Sequence, residues 1–229
     1  MKIFIAIPTM ESVPVQFLGS MLQLKRTDYE IKFGIETGSL VYNARNNLAR
    51  QAVAAECDWV LWLDSDMVFD PDLLEKMLKV CQDNDIDFLT ALCFRRKPPY
   101  TPCLFDRLEK LQDDKGASYT ALLSVPEGRF EVGGCGLAGV LMSTDVLISV
   151  AARFHGQMFD PFPGFGEDVA FCWRARQCGY KIYCDSEIEM GHVGQCVVTR
   201  GYFEAYNGGA NDGNAVEGEI SETDSDNSV

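Results

Sequence analysis

Short apolar runs alternate with helically spaced apolar stripes along the first half of the chain. Lys2–Ile7 is an apolar run stopped by Pro8, and it predicts a strand. Pro14–Leu24 carries apolar residues at helical spacing, and Tyr29–Ile35 alternates as a strand does. Asn43–Ala55 predicts a helix, with Ala44, Leu48, Ala52 and Ala55 near one face. Trp59–Leu63 is apolar without alternation, the pattern of a central strand covered on both sides. Asp70-Pro71 places a capping residue before a proline and predicts a helix to about Cys81, followed by a strand over Asp87–Cys93. This β-α-β-α-β order predicts an α/β fold of Rossmann-like type: a mostly parallel central sheet with helices on both faces.

The second half is less regular. Arg95–Pro102 is a basic, proline-containing loop. Tyr119–Val125 and Arg129–Val132 are expected to pair as a hairpin, Ala138–Met142 to form a strand and Thr144–Ala152 a helix. Gly166–Cys178 reads as a helix closed by Gly179, with strands at Lys181–Cys184 and Glu187–Met190. The chain of 229 residues has room for one core. The expected organisation is one domain over residues 1–206 and an acidic tail over 207–229. Glu217–Val229 contains no Lys, Arg or aromatic residue and is expected to stay disordered.

Composition narrows the function. A net charge of −14 excludes binding to nucleic acid by bulk attraction and gives no help to docking on an anionic membrane. A protein so acidic must neutralise a phosphate ligand locally, with a metal or a few placed Arg and Lys side chains. The run Ile3–Ile7 is too short for a signal peptide or a membrane span, and no other stretch resembles either, so a cytoplasmic location is expected. Nine cysteines without a Cys-x-x-Cys pair read as reduced thiols rather than as disulfides or a zinc site.

The candidate chemistry begins at Asp64-Ser65-Asp66, directly after the apolar run Trp59–Leu63. Ligands of open α/β sheets bind beyond the carboxyl ends of the strands. Two carboxylates that close repel each other unless a hard cation such as Mg²⁺ or Mn²⁺ lies between them and a diphosphate. Strand-end turns also favour Asp for structural reasons. Three further features converge with this pair: Gly166-Glu167-Asp168 at a helix start, His192 after a strand, and Asn43-Ala44-Arg45-Asn46-Asn47 at another helix start. Each has an ordinary structural role as well: acids suit a helix N-terminus, a single His can be a buried core residue, and Arg45 can sit on a helix surface.

In this chain order the set resembles the GT-A class of glycosyltransferases, family-two-like, over nearly the whole span from Lys2 to about Gly194. The resemblance implies a nucleotide-diphospho-sugar donor, with UDP favoured and GDP second, and a saccharide or other hydroxyl acceptor. It implies that Thr9 lines the base and ribose pocket, that Arg45 and Asn46 contact the nucleotide, and that Asp64 holds the ribose or donor sugar. Asp66 and His192 would ligate Mn²⁺ or Mg²⁺, the imidazole suiting Mn²⁺ better. Gly134, within Gly133–Gly136, would lie near the donor sugar, where a missing side chain permits close approach. Asp168 would be the base that takes the acceptor proton, with Glu167 beside it, in an inverting reaction favoured over a retaining one. The short chain leaves acceptor recognition to loops such as Arg95–Pro102 and Phe159–Phe165, or to a partner subunit.

Other readings compete. Asp64-Ser65-Asp66-Met67-Val68 also fits haloacid-dehalogenase-type phosphatases, with Asp64 as nucleophile and Asp66 as general acid, although that motif normally sits on the first strand. A sugar nucleotidyltransferase would open with a glycine-rich loop that Pro8–Ser12 lacks. A non-catalytic nucleotide-sugar-binding module would share the pocket without turnover.

Overall fold

The computed structural model describes residues 1–10, 12–26, 28–38, 40–110, 117–194 and 197–208. The first half runs β1 (Lys2–Thr9), α1 (Val15–Gln23), β2 (Glu30–Thr37), α2 (Val41–Ala54), β3 (Trp59–Leu63), β4 (Met67–Val68), α3 (Leu73–Asn84) and β5 (Phe88–Leu92). The second half adds β6 (Leu104–Lys110), β7 (Ala117–Ala121), β8 (Arg129–Val132), β9 (Gly134–Cys135) and β10 (Gly139–Ser143). It continues with α4 (Thr144–Arg153), α5 (Glu167–Gln177), β11 (Ile182–Glu189), β12 (Gly191–Val193), β13 (Val197–Val198) and α6 (Arg200–Gly208).

The main sheet has seven strands in the order β2-β1-β3-β10-β5-β11-β8. β1 is parallel to β2 and β3, and β5 is parallel to β11, whereas β10 and β8 run antiparallel to their neighbours. The mostly parallel α/β sheet expected from the sequence is therefore present, with β10 inserted in the opposite sense between β3 and β5.

Alternate side chains of the central strands feed two cores. Phe4, Ala6, Val60 and Trp62 face one side with Leu48, Ala49 and Ala52 of α2 and Phe171 and Ala175 of α5. Ile3, Ile5, Ile7, Leu61 and Leu63 face the other with Phe17 of α1 and Leu74, Met77 and Leu78 of α3. Because β3 is buried on both faces, truncating Leu61 to Ala should cost about 2–5 kcal/mol. Glycine is required in β2, where a Cβ on Gly34 would stand 2.7 Å from Leu48 Cδ2 and also collide with Phe4.

Several local expectations are corrected. β7 and β8 do not form a hairpin: β7 pairs with β6, and β8 pairs with β11 at the sheet edge. The two strands expected over Lys181–Met190 are one continuous β11. α3 begins at Leu73, because Asp70 and Pro71 form the preceding turn. The short sheet β13-β12-β4, the strands β6 and β9, and the helix α6 add to the elements predicted. α6 reaches Gly208, across the 206/207 boundary, and the rest of the proposed tail lies outside the described residues.

Among the described residues eight cysteines are free thiols, six of them buried; Cys196 lies outside the described residues. Among the described residues, no helix is long and apolar enough to cross a membrane.

Candidate active site

The carboxyl ends of β1 and β3, the start of α2 and the start of α5 surround a cleft of about 590 Å³. That volume lies in the range of small-molecule and cofactor sites. Thr9, Arg45, Asp64, Asp66, Arg96 and Glu167 are among the residues that line it.

Asp64 follows the last buried residue of β3, and its backbone N–H donates to Ala138 O (3.0 Å), just ahead of β10. The antiparallel β10 thereby fixes the turn that aims the two carboxylates. Arg45, one turn into α2, is 2% exposed. Its Nη2 donates to Asp64 Oδ1 at 2.8 Å, its Nε lies 3.9 Å from Glu167 Oε1, and its guanidinium stands 5.8 Å from the Trp62 ring. Burial pushes the guanidinium pKa down, but Asp64, Glu167 and Asp168 outweigh it and hold the group above its ordinary value. Arg45 is thus a permanent buried cation that draws together carboxylates from β3 and α5. Its Nε and Nη1 make no hydrogen bond within the protein.

Asp66 Oδ2 accepts from Arg96 Nη1 at 3.0 Å and lies 3.1 Å from His192 Nε2. The approach is built by strand pairing: His192 of β12 stands opposite Met67 of β4, and Val193 N–H donates to Asp66 O (2.8 Å). Phe94 O, 3.0 Å from Nδ1, holds the imidazole from behind. Burial raises the Asp66 carboxyl, but the His192 hydrogen bond and the charges of His192 and Arg96 hold it below the usual range. Burial likewise lowers His192, and the hydrogen bond and charge of Asp66 more than reverse the effect.

Glu167 and Asp168 open α5, where the helix dipole favours acids. Glu167 reaches the cleft wall. Asp168 points elsewhere: its Oδ1 accepts from Val169 N–H (2.7 Å), and its Oδ2 lies 3.7 Å from where a Cβ on Gly136 would stand. Burial, then the neighbouring charge of Glu167, pushes the Asp168 carboxyl up to about 6. A carboxylate with that affinity suits proton uptake near neutral pH.

Two expected site residues are placed otherwise. Asn46 is buried, with Nδ2 donating to Asp160 Oδ2 (2.9 Å) and Oδ1 accepting from Phe159 N–H (3.1 Å). Both ends of its amide hold the loop before α5, so it is a scaffold residue and does not line the cleft. Gly134 packs inward: a Cβ there would stand 2.7 Å from Leu108 Cδ1 and 3.2 Å from Cys172 Cβ. Its missing side chain admits the protein's own β6 and α5, and Gly136 is the glycine beside Asp168. Thr9 lies at the cleft, its Oγ1 donating to Ser12 O (3.4 Å).

Two contributors have no signal in the sequence, Trp62 under Arg45 and the Phe94 carbonyl behind His192, and Arg96, expected in a loop for acceptor recognition, is the direct partner of Asp66. Arg96 had a signal in the basic cluster Arg95-Arg96-Lys97, but its target had none.

Comparison with known proteins agrees with this architecture. Residues 36–123 match the family described as Glycosyl transferase family 2. No curated protein matches the chain in sequence. The crystal structure of A197 from STIV superposes with a TM-score of 0.61 at 18% identity, over 84% of this chain and 86% of that one. The crystal structure of GalNAc-T7 with UDP, GalNAc and Mn²⁺ superposes with a TM-score of 0.58 at 11% identity, over 84% of this chain and 44% of that one. This chain therefore corresponds to less than half of that GalNAc-T7 chain. The protein has the GT-A glycosyltransferase fold, and the segment holding Arg45, Asp64, Asp66 and Arg96 carries the sequence pattern of glycosyl transferase family 2.

Proposed function

We propose that the protein is a divalent-metal-dependent glycosyltransferase that moves a sugar from a nucleotide-diphospho-sugar, UDP-linked before GDP-linked, to an acceptor hydroxyl with inversion. The observation that carries this reading is the convergence of Asp66 Oδ2 and His192 Nε2, 3.1 Å apart, at the rim of a cleft that also holds the Arg45–Asp64 pair. The two donors fit Mn²⁺ or Mg²⁺. One is a carboxylate held ionised, the other an imidazole whose far nitrogen is fixed by Phe94 O, the outer-shell support expected of a metal-binding His. Arg96 already supplies positive charge at the same oxygen. Among the described residues, no group of three or more His, Cys, Asp or Glu side chains converges, so water and substrate oxygens would complete the coordination. When bound, the metal would neutralise charge that grows on the departing diphosphate.

The protein's own groups divide the remaining work. Thr9 and the β1–α1 segment border the half of the cleft assigned to the nucleoside. Arg45, at the cleft wall with its Nε and Nη1 buried, holds Asp64 and Glu167 in place. Asp64 is assigned to a substrate hydroxyl. Asp168 is assigned to take the acceptor proton from the side bordered by Gly136 and Cys103, and Glu167, on the cleft wall, to stand near the donor or acceptor. The pairing of Asp64 with Arg45 at 2.8 Å and the antiparallel β10 beside β3 favour this reading over a phosphatase whose Asp64 would be a free nucleophile. The free thiols agree with a reducing, cytoplasmic setting.

The test is release of nucleoside diphosphate from UDP- and GDP-sugars with a panel of saccharide acceptors, in Mn²⁺ and in EDTA. Metal-dependent consumption of one donor class, abolished in His192→Ala, is expected. Phosphomonoester hydrolysis without transfer would overturn the proposal.

A further inference from the structure

Five exposed apolar residues lie on α1 and the neighbouring strand β2. Val15, Leu18 and Leu22 form a helical stripe on the outside of α1 and are 75%, 48% and 72% exposed. Phe33 and Ile35 of β2 are 47% and 63% exposed. The register places these two strand residues on the same face as α1. Phe33 and Ile35 lie beside Ile5 and Ile7 of β1, and those isoleucines share a core with Phe17 of α1. Among the described residues β2 is also an open edge, with β1 its one neighbour in the sheet. An apolar face joined to an unpaired edge strand marks an association surface, because both the apolar area and the unpaired backbone groups seek a partner.

We infer that this partner is a second copy of the chain, with β2 pairing antiparallel to β2 across a twofold axis centred on Gly34. The sequence of β2, Glu-Ile-Lys-Phe-Gly-Ile-Glu-Thr, complements itself in that register. Lys32 falls opposite Glu36 of the second copy, and Phe33 falls opposite Ile35, so one face gains two ion pairs and the other two aromatic–aliphatic pairs. Neighbouring registers lose this match. Centring on Phe33 sets Glu30 against Glu36, centring on Lys32 sets that lysine against itself, and centring on Ile35 leaves Lys32 facing Gly38. The present partners of the charged groups are solvent-exposed and readily exchanged: Lys32 Nζ lies 3.4 Å from Glu30 Oε1, and Glu36 Oε1 accepts from Gln51 Nε2 at 2.6 Å. A net charge of −14 argues against an anionic membrane as the occupant.

Sedimentation equilibrium of the full chain over a wide concentration range tests the inference, with circular dichroism melts confirming that each variant folds. The wild type is expected at twice the chain mass. Lys32→Glu should weaken the dimer at least about tenfold, and Lys32→Glu combined with Glu36→Lys should restore it, because the double exchange rebuilds both ion pairs. Ile35→Lys should give a monomer, and it supplies the answer if Lys32→Glu fails to fold. A monomeric wild type, a dimer indifferent to Lys32→Glu, or a double exchange that does not restore association would overturn the inference. So would a monomer that floats with phosphatidylcholine vesicles through Leu18 and Leu22.

Discussion

The two ends of the cleft hold their charges in opposite ways. At one end Arg45 has a side chain 3% exposed, its charge fixed by Asp64 and Glu167 and its plane set over Trp62. At the other, Asp66 shares a single oxygen between His192 and Arg96, and the Arg96 side chain is 54% exposed. A buried cation with charged partners cannot be exchanged without leaving carboxylates uncompensated, whereas an exposed guanidinium can leave at little cost. The first end is therefore scaffold, and the second suits the exchangeable cation of the proposed reading.

Substitutions can sharpen this contrast. The largest effect on turnover is expected at Asp66→Ala, which removes the oxygen shared by His192 and Arg96. Metal-dependent turnover should fall by about a thousandfold or more while the melting temperature changes little, checked by a coupled assay for the released diphosphate. Arg45→Met should have the largest effect on stability, a loss of about 3–5 kcal/mol by urea denaturation, because Asp64, Glu167 and Asp168 would then face each other unpaired. If Arg45→Met melts like the wild type, the scaffold role assigned to that end is wrong.

Asp168→Asn should separate activity from stability. Turnover should drop by about 10²–10⁴-fold with nucleotide affinity retained. In the wild type, turnover should rise as pH passes through about 6, where Asp168 ionises. Stability has the opposite sign. The folded carboxyl titrates above its ordinary value of 3.8, so this group's contribution is fully present below 3.8 and is lost as pH rises through about 6. At pH 7 the Asn variant should be more stable by about 1–3 kcal/mol, and the gain should vanish at low pH. A pH-independent shift in melting temperature would contradict the buried-charge explanation.

These outcomes bear on what could be read in advance. Asp64 and Asp66 were legible because a fully apolar five-residue strand must end where its sheet ends, and carboxylates placed there meet solvent and ligand. Glu167 and Asp168 were legible as acids at a helix start. Asn46 was misread because its neighbours in sequence say nothing of Asp160, 114 positions away, which takes its amide. Gly134 was misread for the same reason, since the atoms that need its space belong to Leu108 and Cys172. The meeting of His192 with Asp66 was legible only through the family resemblance, because the three-residue strand and the two-residue strand that pair there are too short to leave a periodic trace. The reversed β10 was hidden likewise: Ala138–Met142 reads as a strand in either direction.

The smallest effect concerns the acidic tail. Removing residues 209–229, just past the end of α6, should leave the melting temperature and turnover unchanged, because the deleted sequence lacks Lys, Arg and aromatic side chains to anchor it. A fall of several degrees would assign the tail a place in the fold.

Calorimetric titration of UDP and GDP into the protein, with Mn²⁺ and with EDTA, tests the central claim most directly. The account predicts saturable binding of one nucleoside diphosphate in Mn²⁺, lost in EDTA and in Asp66→Ala. Equal binding with and without the metal, or no binding of either nucleotide, would contradict it.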